Sequence, residues 1–241
     1  MPILPMPSAG SPSGSLHGSR SATHARLEEH GFRPENTNPC RRIKKYRANR
    51  RERYLTSEEF ARLGRILDRV EGGAENVFAV VAIRLLLLTG ARLMEILTLR
   101  WSYVDLERGL LLLPDSKTSQ KSIRLGEAAI AVLQAVPRVK ENPYVIVGRK
   151  DGAHIVHLQK TWRRIRAAAG LNDGRNHDLR HSFASMAAAS GASLPMIGKL
   201  LGHTQPQTTA RYAHLADDPL HQLNQKVGNL ISKAMRGRDQ T

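Results

Sequence analysis

Several residue types are scarce in this 241-residue chain, and each scarcity excludes a class of protein. Cys40 is the only cysteine, which excludes an internal disulfide and a zinc site built on cysteines, and favours a reducing, intracellular setting. The longest apolar run, 77–88, contains Arg84 and is too short to span a bilayer, so we expect no membrane partner. Acidic residues are also few, at 21 against 37 lysines and arginines. The net charge of +16 predicts a polyanionic partner, most simply nucleic acid, with a basic surface for solubility as the alternative.

The composition divides the chain into two parts. Residues 1–54 are predicted to be a disordered segment followed by a basic linker, because residues 1–25 are rich in serine, glycine and proline. One or two helical turns are expected at 23–31. Residues 55–241 are predicted to form a folded domain, which begins with a helix capped by Thr56 and Glu59.

The linker carries a dense positive charge. Eight of the 13 residues 41–53 are cationic, which is enough for several contacts with a phosphate backbone. They are Arg41, Arg42, Lys44, Lys45, Arg47, Arg50, Arg51 and Arg53. A solvated linker that binds nothing is the alternative. The same two interpretations apply to a cationic face on the predicted helix 158–169, formed by Lys160, Arg163, Arg164 and Arg166.

The folded part is predicted to be α+β and mostly helical, with one small antiparallel sheet near its N-terminal half. Apolar residues recur at helical spacing over most of 57–101 and again after residue 126. Between them, 110–113 and 123–125 have the character of strands, joined by a polar turn at 115–121, and 104–105 and 144–147 are candidate short strands. Further helices are predicted at 177–189, 193–201, 205–213 and 219–235.

Four short stretches carry the residues of a phosphoryl-transfer site. They are Thr89-Gly90-Ala91-Arg92-Leu93-Met94-Glu95, Asp115-Ser116-Lys117-Thr118, His177-Asp178-Leu179-Arg180-His181, and Leu201-Gly202-His203 followed by Tyr212. Arginines bind phosphate oxygens, histidines and lysines transfer protons, and an activated phenol can attack phosphorus without a metal or a cofactor. Each residue taken alone has an ordinary structural interpretation, and Lys121 competes with Lys117 for the position of the reactive lysine. Their order along the chain is what makes the set specific.

These stretches resemble the three signature boxes of the tyrosine recombinase, or phage-type integrase, family over about residues 38–235. The resemblance implies the fold of that family's catalytic domain. It also implies roles: Arg92 and Arg180 hold the scissile phosphate, and Lys117 protonates the leaving 5′ oxygen. By the same resemblance His177 assists proton transfer from the nucleophile, His203 binds the phosphate, and Tyr212 forms a 3′-phosphotyrosine bond. Glu95, His181 and Asp178 are interpreted as supporting residues, and no metal or cofactor is required.

The resemblance also implies partners. Double-stranded DNA is the expected substrate, and the protein is expected in the cytoplasm with the nucleoid. The apolar stripe of the last helix is expected to link four copies on DNA, with docking on its own domain as the alternative. Family members usually carry a core-binding domain before the catalytic domain, and this chain is expected to lack it. Two alternatives remain: a DNA-binding accessory protein that does not cut, and an enzyme like type IB topoisomerase that nicks and reseals one strand.

Overall fold

The computed structural model describes residues 16–39, 53–71, 76–114, 121–203, 206–215 and 217–235. The chain divides into two compact units, residues 1–51 and 52–241. In the first unit, helix α1 spans Leu16–Glu29, which is longer than the one or two turns predicted and begins inside the segment predicted to be disordered. The sequence of α1 has no apolar stripe at helical spacing, which is the main sequence signal of a helix, although its Ala, Arg, Leu and Glu residues favour one. In this unit the Asn38 amide donates to Glu28 Oε1 over 2.6 Å.

The second unit begins with helices built around one apolar core. Helix α2 spans Ser57–Glu71, α3 spans Val77–Thr89 and α4 spans Leu93–Leu97. The predicted capping box is present, because the Thr56 amide donates to Glu59 Oε2 and the Glu59 amide donates to Thr56 Oγ1. Helix α3 is buried along most of its length, as its continuous apolar sequence predicts. It ends at Gly90, whose φ of +61° is the left-handed conformation that glycine adopts without strain.

A three-stranded antiparallel sheet packs against these helices. Strand β1 spans Val104–Asp105, β2 spans Leu110–Leu113 and β3 spans Lys121–Arg124, in that spatial order. In β2, Leu111 and Leu113 are buried, and Leu111 pairs with Ile123 of β3, so one face of the hairpin joins the core. Residues 115–120 of the predicted turn 115–121, Lys117 among them, lie outside the described part of the chain, and Lys121 is the first residue of β3.

The predicted short strand at 144–147 is wrong as a continuous strand. Tyr144 and Val147 form only isolated bridges, to Arg100 and His154. Pro143 precedes this segment and has no N–H to extend a ladder, although its carbonyl accepts a hydrogen bond from the Trp101 amide.

The remaining helices carry most of the signature residues. Helix α5 spans Glu127–Ala135, α6 spans Gln159–Ala168, α7 spans Asn176–Ala189 and α8 spans Leu194–Leu201. A single helix predicted at 205–213 is instead a short helix α9, Pro206–Thr209, followed by a 3₁₀ segment at Ala210–Leu215. Two adjacent β-branched threonines weaken a regular helix here, and Thr209 directs its hydroxyl to His203.

The C-terminal part of the domain has a core of its own. Tyr212 packs there with alanines of α7 and apolar residues of α8 in a second cluster of buried residues. The last helix, α10, spans Asp217–Met235 and contacts α7 and the 3₁₀ segment. Over the described residues, no helix is both long and apolar enough to cross a membrane.

Candidate active site

A cavity of about 180 Å³ brings the signature residues together. Its described lining consists of Arg92, His177, Arg180, His181, His203, Thr208, Arg211 and Tyr212. Five of the six residues predicted to be catalytic are in this set, and the sixth, Lys117, lies outside the described residues. None of the described lining residues is acidic. The cavity is therefore a cationic pocket suited to an anion.

Arg92 enters the pocket from the N-terminus of α4. Its backbone amide donates to Glu95 Oε2 over 2.8 Å, and its Nη1 donates to Glu95 Oε1 over 2.9 Å. Its Nη2 donates to the Gly202 carbonyl over 3.3 Å. The side chain remains half-exposed, so the guanidinium is oriented by protein contacts and still accessible to a ligand.

Arg180 is held more rigidly, at the junction of two helix ends. It lies on α7, is 4% exposed, and donates to the carbonyl of Gly90 and, over 2.7 Å, to that of Leu201. These carbonyls belong to the C-terminal ends of α3 and α8, where backbone acceptors lack partners within the helix and attract a cation. Burial and the nearby Arg92 lower the pKa of Arg180.

The three histidines of the pocket are held in their neutral form. Burial lowers the pKa of each, with a further contribution from neighbouring cations, and the pKa of both His181 and His203 falls to about 4. His203 Nδ1 is hydrogen-bonded to Thr209 Oγ1 over 2.9 Å. The rings of His177 and His181 meet edge-on, with their centroids 4.6 Å apart. Positive charge in the pocket near neutral pH therefore comes from arginine, and each neutral imidazole offers one N–H donor and one nitrogen acceptor.

Tyr212 is buried, with 1% of its surface exposed, and its hydroxyl has a specific partner. Its Oη lies 2.6 Å from Nδ1 of His181. On the other side of that imidazole, Arg211 Nη1 lies 3.4 Å from Nε2. The sequence motifs predict only a supporting role for His181 and do not identify Arg211. Its position next to Tyr212 in the sequence was the available signal.

Lys121, the alternative candidate for the reactive lysine, begins strand β3 and forms an ion pair with Glu95. Its Nζ donates to both carboxylate oxygens of Glu95 over 2.7 Å. Burial acts to raise the pKa of Glu95, but hydrogen bonds from Lys121 and Arg92 outweigh it, and the net pKa is lowered. Burial lowers the pKa of Lys121 despite this partner, with help from Arg92 and Arg180.

The other predicted residues have contacts away from the cavity. Asp178 accepts a hydrogen bond from the Arg175 amide over 2.7 Å at the start of α7, so it fixes the helix that carries His177. Arg53 contacts Glu59 through Nη2 at 2.6 Å, and its Nε lies 3.3 Å from Asp173. The seven other cations of the basic run lie in 40–52, outside the described residues.

Comparisons with known proteins identify the family of this chain. The model of the phage integrase family matches residues 53–218. The chain is 27% identical over 196 residues to tyrosine recombinase XerD of Rhizobium meliloti (strain 1021), covering 76% of this chain and 63% of that protein. It is 30% identical over 208 residues to the shufflon-specific DNA recombinase of Escherichia coli, covering 85% and 49%.

Solved structures support the same fold. The crystal structure of XerH site-specific recombinase in a post-cleavage complex with its difH substrate superimposes with a TM-score of 0.61 at 24% identity, covering 73% of this chain and 53% of that one. The chain spans about half to two thirds of the length of the curated relatives that it matches. With the matched family model covering most of the sequence, the chain belongs to the phage integrase family and has the fold of a tyrosine recombinase catalytic domain.

Proposed function

We propose that this chain is a site-specific DNA recombinase that cleaves and rejoins DNA through a 3′-phosphotyrosine intermediate. The observation that carries the proposal is the placement of Tyr212 in one cavity with Arg92 and Arg180. Two arginines can neutralise the non-bridging oxygens of a phosphodiester, and a phenol beside them is a nucleophile within reach of phosphorus.

The strand-cleavage step follows from these positions. Tyr212 Oη forms a bond to phosphorus, the bond from phosphorus to the 5′ oxygen breaks, and the phenolic proton passes to His177. Arg92, Arg180 and His203 hold the phosphate oxygens as negative charge accumulates, which is the largest contribution expected in such a site. Rejoining is the reverse attack by a 5′ hydroxyl, and the phosphotyrosine bond conserves the energy of the broken linkage.

A lysine supplies the proton for the leaving 5′ oxygen, and we assign that role to Lys117, with Lys121 as the alternative. A substrate with sulfur in place of the bridging 5′ oxygen separates the two, because a thiolate leaves without a proton. Lys117→Met is expected to regain cleavage on this substrate, whereas Lys121→Met is not. The opposite pattern would assign the acid to Lys121.

Duplex DNA is the proposed substrate, and cations outside the pocket are proposed to follow its backbone. The candidates are Arg41, Arg42, Lys44, Lys45, Arg47, Arg50, Arg51 and Arg53. Arg53 already contacts Glu59 and Asp173, so its contribution to DNA is expected to be the smallest of the set. Removal of each phosphate contact should reduce the slope of log binding constant against log salt concentration by about one.

Helix α10 is proposed to link copies of the chain into a tetramer on DNA. Its described apolar residues Leu223, Val227, Leu230 and Ile231 are all exposed. An exposed apolar stripe of this kind is typical of an interaction surface. Leu230→Glu should leave DNA binding by one copy intact and abolish the larger complexes in analytical ultracentrifugation. Unchanged assembly would reject the role of α10.

The first test of the proposal is the covalent intermediate. Nicked duplexes made from DNA flanking the gene trap the intermediate, because the short 5′ fragment diffuses away, and a denaturing gel then shows a protein–DNA adduct. Tyr212→Phe should abolish the adduct, and Tyr144→Phe, which changes a tyrosine outside the described lining, should not. Binding without an adduct in the unaltered chain would instead favour an accessory role.

A further inference from the structure

We propose that His181 acts as a hydrogen-bond donor to the Tyr212 phenolate, in a tautomer selected by Arg211. The inference rests on the proposed strand cleavage and adds two residues to it. His181 becomes a catalytic residue, because it touches the reacting oxygen. Arg211 becomes a positioning residue, because it acts through the imidazole.

The geometry is a chain of three side chains. Arg211 Nη1 lies 3.4 Å from His181 Nε2, and His181 Nδ1 lies 2.6 Å from Tyr212 Oη. The two contacts use opposite nitrogens of one ring. A neutral imidazole carries one N–H, so His181 donates a hydrogen bond in one contact and can only accept in the other. The identity of the protonated nitrogen therefore determines what His181 does to the phenol.

Arg211 decides which nitrogen carries that proton. A guanidinium has five donors and no acceptor, and it stays charged in proteins. An Nε2–H tautomer of His181 would place two donors against each other across 3.4 Å. The Nδ1–H tautomer turns the same contact into a hydrogen bond from Arg211 to the Nε2 lone pair. In that tautomer Nδ1 donates to Tyr212 Oη.

The direction of this hydrogen bond fixes the role of His181. A donor to the phenol oxygen stabilises the phenolate but cannot remove the phenolic proton. Removal of the proton then falls to His177, whose ring is edge-on to His181 with 4.6 Å between centroids. A tautomer is defined only for neutral His181. Burial lowers the pKa of His181 to about 4, so the ring is neutral near pH 7.

Burial increases the effect of the contact. His181 is 8% exposed and Tyr212 is 1% exposed. A charged oxygen is stabilised more by a hydrogen bond in such an environment than in water, because the local dielectric constant is lower. The hydrogen bond therefore gains strength as the phenol becomes a phenolate, which is the condition for an interaction to accelerate a reaction.

The tautomer can be measured on the full chain without DNA. Imidazole ¹⁵N shifts and two-bond couplings of the ¹⁵N-histidine-labelled protein distinguish Nδ1–H from Nε2–H, and His181→Asn assigns the signal. We expect a neutral Nδ1–H tautomer in the unaltered chain and a loss of this preference in Arg211→Met. An Nε2–H tautomer would overturn the proposal. A preference unchanged in Arg211→Met would overturn the role of Arg211.

Two replacements of His181 separate a donor from a base in the adduct assay. Asparagine places an N–H donor near the position of Nδ1 but cannot accept the proton, whereas leucine can do neither. Removal of one donor to a developing anion costs on the order of 10²–10³-fold in rate, so His181→Leu should lose that much. His181→Asn should retain at least about a tenth of the rate on the same scale. Equal losses in both variants would contradict a donor role.

The pH profile supplies a readout that a structural role would not change. The groups facing His181 are His177, Arg180, His203, Arg211 and Tyr212. If His177 takes the proton, the acidic limb of the cleavage rate persists in His181→Asn, and its disappearance would identify His181 as the base. If the unaltered chain forms no adduct at all, strand cleavage fails as a proposal, and the ¹⁵N measurement still decides the tautomer.

Discussion

Lys121 Nζ lies 2.7 Å from both carboxylate oxygens of Glu95, and this pair connects the edge of the small sheet to the start of α4. The same carboxylate orients Arg92 through its guanidinium and its amide. One partly buried acid therefore sets the position of two cations beside the proposed phosphate site. Removal of the Glu95 charge should therefore change the positions of both Lys121 and Arg92.

Glu95→Gln is expected to slow adduct formation by about 10²-fold, because a small displacement of a phosphate-binding group has that cost. Its unfolding free energy should fall by about 1–3 kcal/mol, since Lys121 loses its charged acceptor in a largely buried position. Cleavage kinetics and urea denaturation measure the two effects. Glu107→Gln, at an exposed carboxylate, is the control and should change neither.

Gly202→Ala should displace Lys121. Gly202 has φ of +63°, and a Cβ there would lie 2.5 Å from Lys121 Cε. Gly152→Ala is a matched control, because its φ of +66° imposes the same backbone strain of about 1 kcal/mol with no atom within 4 Å of the new Cβ. We expect both variants to lose stability in thermal melts. Only Gly202→Ala should also lose cleavage, and equal activity in the two would show that Lys121 has room to move.

Ser182→Ala should destabilise the start of the catalytic domain. The Ser182 hydroxyl accepts a hydrogen bond from the Leu55 amide over 2.8 Å and donates to the Asp178 carbonyl. Its removal leaves a buried amide without its acceptor, which costs about 1–3 kcal/mol. Urea denaturation measures the loss. Ser190→Ala, at an exposed serine, should change the unfolding free energy by less than about 0.5 kcal/mol.

Stability should fall as the pH drops from about 6.5 to about 4. His181 and His203 have a pKa of about 4 in the folded chain, against about 6.5 for an unperturbed histidine. The unfolded chain therefore binds more protons in this interval, and the free energy of unfolding decreases with acidification. Chemical denaturation at pH 7, 6 and 5 measures the slope.

His203→Gln is expected to reduce that slope, and His157→Gln, at an exposed histidine, should leave it unchanged. Glu95 also loses its favourable charge in acid, but its pKa is lowered, so its contribution is lost mainly below about pH 4.3. A slope that is the same in all three proteins would reject the assignment to the pocket histidines.

Most of the fold was predictable because its signals are local. The reciprocal contacts of Thr56 and Glu59, the buried apolar run of α3 and the short leucine run of β2 can each be recognised within a few residues of sequence. Helix α1 was predicted too short because it has no apolar stripe. The 3₁₀ segment that carries Tyr212 was predicted as a regular helix, because its form depends on tertiary contacts such as that of Thr209 with His203.

The composition of the pocket was predictable, but its hydrogen bonds were not. The order of the motifs identified Arg92, His177, Arg180, His203 and Tyr212, and the cavity contains all five. The contact of His181 with Tyr212 joins residues 31 apart and depends on how the 3₁₀ segment packs against α7. The pairing of Lys121 with Glu95 likewise depends on the position of β3 beside α4, which no local spacing encodes.

Arg180 binds the ends of two helices as well as lining the cavity. Its guanidinium can be in place only when α3 and α8 have both formed and their last carbonyls face each other. A chain in which either helix is unravelled would not hold Arg180 at the proposed phosphate site, even with Tyr212 present. The proposed cleavage by Tyr212 therefore requires a completely folded domain, and we expect a partly folded copy to be unable to nick DNA.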